Sequence, residues 1–299
     1  MKILIAGARS ALGSRAAKLL RADGHEVVGL SRTPAGPGFV PADVFDAAGL
    51  VRVVEQVRPD AIVQTLNALP KGGPTKYAEL TATGRLRTEG TRNLIAAARA
   101  AGVQRYVAEN FFFVYGQQPL GSHPVTEEHP IDAGNEEARS LDEQVREFGG
   151  VVLRCGLFYG PGVGSTDYLA GLIRRRRAPR LRGARNVLSY LHIDDAASAV
   201  VAGLEHGASG SAYNIADDKP VGPHDFIREF AAQLGAPAPF AVPGWVIRAA
   251  AGAYLRDAVA GNLPLSNVKA RAELRWAPAY PTIEDGLKTA GQRRISSAM

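Results

Sequence analysis

The apolar positions of this chain follow two patterns that alternate along much of its length: short unbroken runs, and runs spaced by three or four residues. Residues 3–6 form the first unbroken run, and from Ser14 the apolar residues follow the wider spacing. A turn that contains Gly7 and Gly13 joins the two. Because a short β-prone run suits a strand buried on both faces, and the wider spacing suits an amphipathic helix, the pattern predicts strand, turn and helix.

The same alternation continues after the first helix. Further strands are predicted at residues 26–30, 61–65, from 105 towards 116, at 151–154 and at 190–193. Helices are predicted at residues 50–57, 89–101 and 136–148, and Asp194 or Asp195 is expected to cap one more helix. Strands that alternate with helices form right-handed βαβ units, so the predicted fold class is α/β with a parallel sheet.

The first turn has the spacing of a dinucleotide-binding loop. Ser10 stands midway between Gly7 and Gly13, where a third glycine would complete G-x-x-G-x-x-G. Backbone N–H groups and the positive end of the following helix can face a pyrophosphate there, which requires residues without bulky side chains. The predicted cofactor contacts in this turn are Gly7, Arg9, Ser10, Leu12 and Gly13.

The end of the second predicted strand indicates which cofactor binds. An NAD enzyme usually carries an acidic residue there for the ribose 2′-hydroxyl, whereas this chain has Ser31 and Arg32. Arg32, together with Arg9, suits a 2′-phosphate, so NADP(H) is favoured over NAD(H). The alternative is that both arginines are solvated surface. Asp43 and Val44 are expected near the adenine, and the alternative for Asp43 is a helix cap or a turn.

Composition restricts the class of protein. The chain has 299 residues, of which 46% are hydrophobic and 21% charged, as expected for a soluble globular protein of one large or two smaller domains. Its single cysteine, Cys155, excludes an internal disulfide framework and a CxxC metal site, and no metal-ligand cluster is expected. No apolar stretch is long enough to span a membrane, and the first apolar run is too short for a signal peptide. A cytoplasmic location is therefore expected.

The net charge of +6 is concentrated in an arginine-rich segment, residues 174–185. No aromatic residue is interleaved there to stack on bases, so nucleic acid is not expected as a partner. The segment is interpreted as a solvated face, with a contribution to an anionic substrate or cofactor as the alternative.

Several later motifs occur in a recognisable order. They are Gly90-Thr91-Arg92-Asn93-Leu94, Val114-Tyr115-Gly116, Arg154 with residues 159–162, residues 192–195, 213–215 and 274–278. With the opening turn, they make the chain resemble the extended short-chain dehydrogenase/reductase superfamily of NAD(P)-binding epimerases, dehydratases and reductases. The resemblance implies a Rossmann-type doubly wound parallel sheet, residues 1–158 and 186–215, with a smaller substrate domain, residues 159–185 and 216–299. It also implies a homodimer.

The residues that carry catalysis in that superfamily are replaced. Its members use a tyrosine, a lysine four residues later and a serine or threonine to move a proton at a carbonyl or alcohol oxygen. Phe111 occupies the serine position, Asn135 the tyrosine position and Arg139 the lysine position, while Arg87 replaces an asparagine of the central helix. Phenylalanine cannot donate a hydrogen bond, asparagine does not titrate and arginine keeps its proton. Arg139 is still expected to bind the nicotinamide ribose.

Other side chains are candidates for the missing acid. Tyr115, Asn110, Glu109 and His123 are the predicted catalytic residues, with packing or plain surface as the alternative for each. Strand alternation would place Phe111 and Phe113 on one face and Phe112 on the other. Phe111 makes the pocket less polar, which favours a lipophilic or aromatic substrate.

These observations lead to three hypotheses of function. The leading one is an atypical NADP(H)-dependent oxidoreductase that acts on a carbonyl, enone or imine of a small substrate. The second is a cofactor-retaining isomerase, epimerase, dehydratase or cyclase. The third is a non-catalytic NADP(H)-sensing protein that engages a partner through the arginine-rich segment.

Overall fold

A parallel β-sheet forms the centre of the molecule. The computed structural model describes residues 1–33, 36–116, 120, 123–182, 186–243, 254, 257 and 261–291. Its strands are β1 (Lys2–Ala6), β2 (Glu26–Ser31), β3 (Phe39–Pro41), β4 (Ala61–Gln64), β5 (Arg105–Phe111), β6 (Val151–Cys155), β7 (Leu157–Tyr159), β8 (Arg180–Arg182), β9 (Tyr190–His192), β10 (Ala212–Ile215) and β11 (Ala241–Pro243). Seven of them pair in the order β10-β6-β5-β4-β1-β2-β3. The order reverses between β1 and β4, which opens the crevice where doubly wound sheets bind ligands.

The helices connect these strands. They are α1 (Ala11–Ala22), α2 (Ala47–Val57), α3 (Thr81–Arg85), α4 (Thr91–Ala100), α5 (Glu136–Phe148), α6 (Gly164–Arg174), α7 (Ile193–His206), α8 (Pro223–Gln233), α9 (Val268–Glu273) and α10 (Ile283–Gly291). A π-helical turn, Leu86–Gly90, joins α3 to α4, and 3₁₀ turns occupy Tyr77–Leu80 and Phe112–Tyr115.

Helices cover both faces of the sheet. On one face, Ile3, Ile5 and Val107 pack in a core that includes buried residues of α1 and α7. On the other, Leu4 and Ala108 pack in a core that includes residues of α2, α4 and α5. Burial on both faces explains why the strands are unbroken apolar runs, and it confirms the predicted Rossmann-type α/β class.

A third core lies outside these layers. It is built from the Phe112–Tyr115 turn and from residues of β9, α6 and α8, and includes Phe226 and Leu263. The pairs β7–β9 and β8–β11 form two small parallel sheets beside it. The proposed division at residues 158/159, 185/186 and 215/216 stays a prediction.

The strand predicted from residue 105 towards 116 is wrong at its end. β5 stops at Phe111, the last residue paired with β6, and residues 112–115 turn into a 3₁₀ helix. The expected alternation of the three phenylalanines therefore does not occur. The Phe112 and Phe113 rings stack at a centroid distance of 4.4 Å, and Phe111 meets both edge-on.

Some helix starts also differ from the predictions, and α2 begins at Ala47 rather than residue 50. Helical backbone begins at Thr81, and α4 itself begins at Thr91 rather than residue 89, because the π-helical turn intervenes. The cap of α7 is His192, whose Nδ1 accepts from the Asp194 N–H at 3.3 Å. Asp194 and Asp195 lie in the first turn instead, where acidic residues favour the positive end of the helix.

Candidate active site

The turn after β1 is shaped as a close-fitting cradle. Gly7 has φ +96°, and a Cβ there would lie 2.6 Å from the Thr65 carbonyl oxygen. A Cβ on Gly13 would overlap the carbonyl oxygen of Gly7. Ser10 caps α1 by accepting from the Gly13 N–H at 2.9 Å. Both positions therefore require glycine. The side chain of Leu12 is buried, so only its backbone can contact a ligand.

Arg9 and Arg32 lie at the same edge of the sheet as this turn. Ala6 of β1 is in register with Leu30 of β2, so the residues after them leave the two strands side by side. Both arginine side chains are exposed, and neither has a hydrogen-bond or ion-pair partner among the described residues. Two free guanidinium groups beside a phosphate-type turn can hold further phosphate oxygens.

Asp43 and Val44 follow β3. The Phe45 N–H donates to Asp43 Oδ1 at 3.0 Å, so Asp43 stabilises a turn, as its alternative interpretation held. Val44 is buried, and its carbonyl accepts from Asn93 Nδ2 at 2.8 Å, which ties this loop to α4. Their contact with adenine stays a prediction.

The Tyr115 hydroxyl, predicted as a catalytic acid, is buried and hydrogen-bonded on both sides. Its side chain is 3% exposed, and its hydroxyl donates to Asn214 Oδ1 at 2.7 Å while accepting from Arg154 Nη1 at 2.8 Å. Arg154 in turn forms a two-armed ion pair with Asp142, at 2.8 and 2.9 Å. Burial raises the pKa of Tyr115 to about 12. The hydroxyl therefore joins β6, α5 and β10, which is a structural role.

Asn110 is also fully used within the fold, which corrects its predicted catalytic role. Its Nδ2 donates to the Ala138 carbonyl at 2.9 Å, and its Oδ1 accepts from the Phe111 N–H at 2.9 Å. The side chain is completely buried and fixes α5 against β5. His123 is exposed, and its catalytic role stays a prediction.

Asn135 and Arg139, which replace the tyrosine and the lysine, differ in whether their polar atoms can still bind a ligand. Asn135 donates to the Phe113 carbonyl at 2.6 Å and is thereby occupied. Arg139 contacts Glu143 at 3.7 Å, as its spacing predicts, but its Nε is buried without a hydrogen-bond partner in the described structure. Arg139 can therefore still donate to a ligand.

Glu109 and Arg87 bring opposite charges to the carboxyl edge of the sheet. Glu109 is half-buried near the end of β5. Burial raises the pKa of its carboxyl group, and the positive charge of Arg87 acts against this rise. In the sequence, Arg87 is marked only by its replacement of the asparagine of the central helix. Its proximity to Glu109, 22 positions away, depends on tertiary packing.

Aromatic rings line the same region. Tyr254 is buried with its ring edge-on to Phe113 at a centroid distance of 6.5 Å, and burial raises its pKa to about 12 while Arg87 lowers it. Phe111 is partly buried against the same cluster. The arrangement is therefore an aromatic wall near two charged side chains, Glu109 and Arg87.

Comparison with known proteins identifies the family. The family model described as NAD dependent epimerase/dehydratase family matches residues 3–216. The chain belongs to this family. It is an enzyme of the short-chain dehydrogenase/reductase type, in the oxidoreductase class.

Two curated relatives and one solved structure illustrate the range of the epimerase/dehydratase family. A 3-diazoavenalumate denitrifying reductase of a Streptomyces species is 34% identical over 96% of this chain and 99% of its own. A 2-alkyl-3-oxoalkanoate reductase of Stenotrophomonas maltophilia (strain K279a) is 28% identical, covering 79% and 77%. The human epimerase family protein SDR39U1, solved with NADPH, superposes with a TM-score of 0.82 at 21% identity, covering 98% and 99%.

The predicted departure from the tyrosine–lysine pair stays a prediction, and one count in the sequence bears on it. None of its nine tyrosines is followed by a lysine four residues later. The departures at Phe111, Asn135 and Arg139 thus have no replacement pair elsewhere in the sequence. Arg154 donates to the Tyr115 hydroxyl and Asp142 is paired with Arg154, so both side chains are used within the fold.

Other predictions concern features outside the cleft. Arg174–Arg177 are exposed at the end of α6, in agreement with a solvated face, whereas the side chains of residues 180–185 lie outside the described part. Among the described residues, no group of three or more candidate ligands could hold a metal ion. None of the helices described is long and apolar enough to cross a membrane.

Proposed function

We propose that this chain is an NADP(H)-dependent reductase of an electrophile whose reduction requires no proton from the protein. The observation that carries the proposal is the loss of the family's hydroxyl donors. Phe111 and Asn135 replace the hydroxyl donors, and the Tyr115 hydroxyl is held by Arg154 and Asn214.

The residues of the turn fit a dinucleotide. The cradle at Gly7 and Gly13 has no room for a Cβ, and the first turn of α1, which Ser10 caps through the Gly13 N–H, directs its positive end towards a pyrophosphate. The free guanidinium groups of Arg9 and Arg32 favour the 2′-phosphate of NADP(H) over the hydroxyl of NAD(H). Arg139 is proposed to bind the nicotinamide ribose. When bound, NADPH supplies a hydride, that is, one hydrogen with two electrons.

The missing hydroxyl donors argue against a carbonyl as the main substrate. A ketone that accepts a hydride becomes an alkoxide, and a protein donor normally protonates or stabilises it. A cationic electrophile becomes neutral on accepting the hydride and requires neither. An aryl diazonium ion is such an electrophile, since a C–H bond forms while the C–N bond breaks and N₂ leaves with the bonding pair.

The name of the Streptomyces relative supports this substrate class. It describes a reductase that removes nitrogen from a diazo compound, and the alignment covers nearly all of both chains. The aromatic wall of Phe111, Phe113 and Tyr254 suits an aryl ring through edge-to-face contacts. We therefore propose an aromatic diazo or diazonium compound as the substrate class.

The test is NADPH oxidation with a panel of substrates. A carboxylated benzenediazonium salt should accelerate NADPH oxidation, with one N₂ released per NADPH, above the uncatalysed reaction measured with Gly13→Ala protein. The added Cβ fills the cradle, so this variant is the matched control. Faster turnover of ketones, enones or imines than of the diazonium salt would overturn the proposal. So would product formation without net NADPH consumption, which would indicate a cofactor-retaining isomerase.

A further inference from the structure

A carboxylate lies where the proposed reaction takes place. Ala6 of β1 is in register with Gln64 of β4, and Gln64 with Ala108 of β5. The next residues along these segments, Gly7, Thr65 and Glu109, therefore lie at one level on the carboxyl edge. Glu109 and Val107 are two residues apart on β5, so they lie on the same face of the sheet, and Val107 packs in the core with α1. It is thus placed on the side of the sheet that carries the cofactor cradle.

The positive charge of Arg87 acts on the Glu109 carboxyl group and lowers its pKa against the effect of burial. The two side chains form no ion pair, and neither has a hydrogen-bond partner among the described residues. Both are therefore free to contact a ligand.

We infer that Glu109 and Arg87 form a dipolar substrate subsite, in which Glu109 faces a cationic group and Arg87 an anionic group of one aromatic substrate. This inference rests on the proposed function and names the substrate's charge pattern, an aromatic carboxylate that carries a positive charge. A carboxylate beside the reaction centre opposes the negative charge that develops on a carbonyl oxygen. It favours binding of a cation, which supports the diazonium class over the carbonyl class.

The subsite acts on binding rather than on the chemical step. A cation loses its charge as the hydride arrives, so Glu109 stabilises the bound substrate more than the transition state. Glu109→Gln is therefore expected to raise KM about tenfold, the effect of about one pKa unit of interaction, without lowering kcat. A merely structural role would not produce this separation of KM from kcat.

Two non-reacting probes test the subsite without turnover. The compounds 4-(trimethylammonio)benzoate and 4-tert-butylbenzoate have the same shape and differ by one positive charge. The NADPH-loaded protein should bind the cationic probe about tenfold more tightly in calorimetry, and Glu109→Gln should abolish this preference while leaving affinity for the neutral probe unchanged. Arg87→Met should weaken both probes, because both carry the carboxylate.

The controls separate this inference from the proposed function. Glu55→Gln removes the same charge from an exposed position on α2 and should leave both affinities unchanged. Equal binding of the two probes, or a preference that survives Glu109→Gln, overturns the assignment of Glu109 as the group that faces the cation. Unchanged binding of both probes by Arg87→Met overturns the assignment of Arg87 as the group that faces the carboxylate. If the probes discriminate as expected but no diazonium salt is reduced, the subsite stands and the proposed function falls.

Discussion

The Tyr115→Phe substitution tests whether the Tyr115 hydroxyl is structural or catalytic. It removes two buried hydrogen bonds, to Asn214 Oδ1 at 2.7 Å and from Arg154 Nη1 at 2.8 Å. The ring keeps its packing, but a buried guanidinium arm and a buried amide oxygen lose a partner. Leaving such groups unsatisfied costs about 1–3 kcal/mol each, so the free energy of unfolding should fall by about 2–4 kcal/mol.

The assay measures stability and turnover in the same protein. Denaturant unfolding gives the loss of stability, and kcat at saturating substrate should change by less than about threefold because the hydroxyl takes no part in proton transfer. Tyr106→Phe is the matched control, since it removes a buried tyrosine hydrogen bond to Gln64, which takes no part in the Tyr115 network. A fall in kcat of about a hundredfold or more without loss of stability would refute the structural interpretation and restore Tyr115 as the acid.

Three further substitutions address the cofactor and a buried acid. Arg32→Asp should weaken NADPH binding by about tenfold or more without weakening NADH binding, as measured by fluorescence titration, because the carboxylate repels the 2′-phosphate. Gly7→Ala should abolish binding of both nucleotides, since the Cβ collides with Thr65; unchanged binding would show that the cradle is misplaced. Asp217 is 1% exposed, and neither carboxylate oxygen finds a hydrogen-bond donor of good geometry in the described structure, so burial raises its pKa to about 9. Because this folded-state pKa lies above the unfolded value, stability should fall by about 1.4 kcal/mol per pH unit as pH rises from about 4 towards 9. Asp217→Asn should flatten that dependence and raise the melting temperature at pH 8; an unchanged pH profile would contradict the assignment.

The parts of the site that sequence could predict are local. The spacing from Gly7 to Gly13 and the range 136–148 of α5 follow from neighbouring residues, and the structure places both as expected. The unbroken apolar strands were equally clear, because a parallel sheet buries both of their faces.

The parts that sequence could not predict depend on distant contacts. Tyr115 contacts Arg154, 39 positions away, and Asn214, 99 positions away, so a local sequence pattern cannot show that its hydroxyl is hydrogen-bonded. The effect of the Arg87 charge on the pKa of Glu109 joins residues 22 positions apart, so it depends on the tertiary fold. The 3₁₀ turn after Phe111 was mistaken for strand, since three phenylalanines in a row are equally β-prone and core-forming.

The origin of the new hydrogen in the product tests the central claim most directly. NADPH carrying deuterium at the transferable C4 position would be supplied with a carboxylated benzenediazonium salt in ordinary water, and the arene analysed by mass spectrometry and NMR. We expect one deuterium at the carbon that lost nitrogen and no hydrogen from solvent, in equal amount with N₂ and oxidised cofactor. Hydrogen from solvent at that carbon, or deuterium retained in NADPH, would contradict reduction by direct hydride transfer without a protein acid.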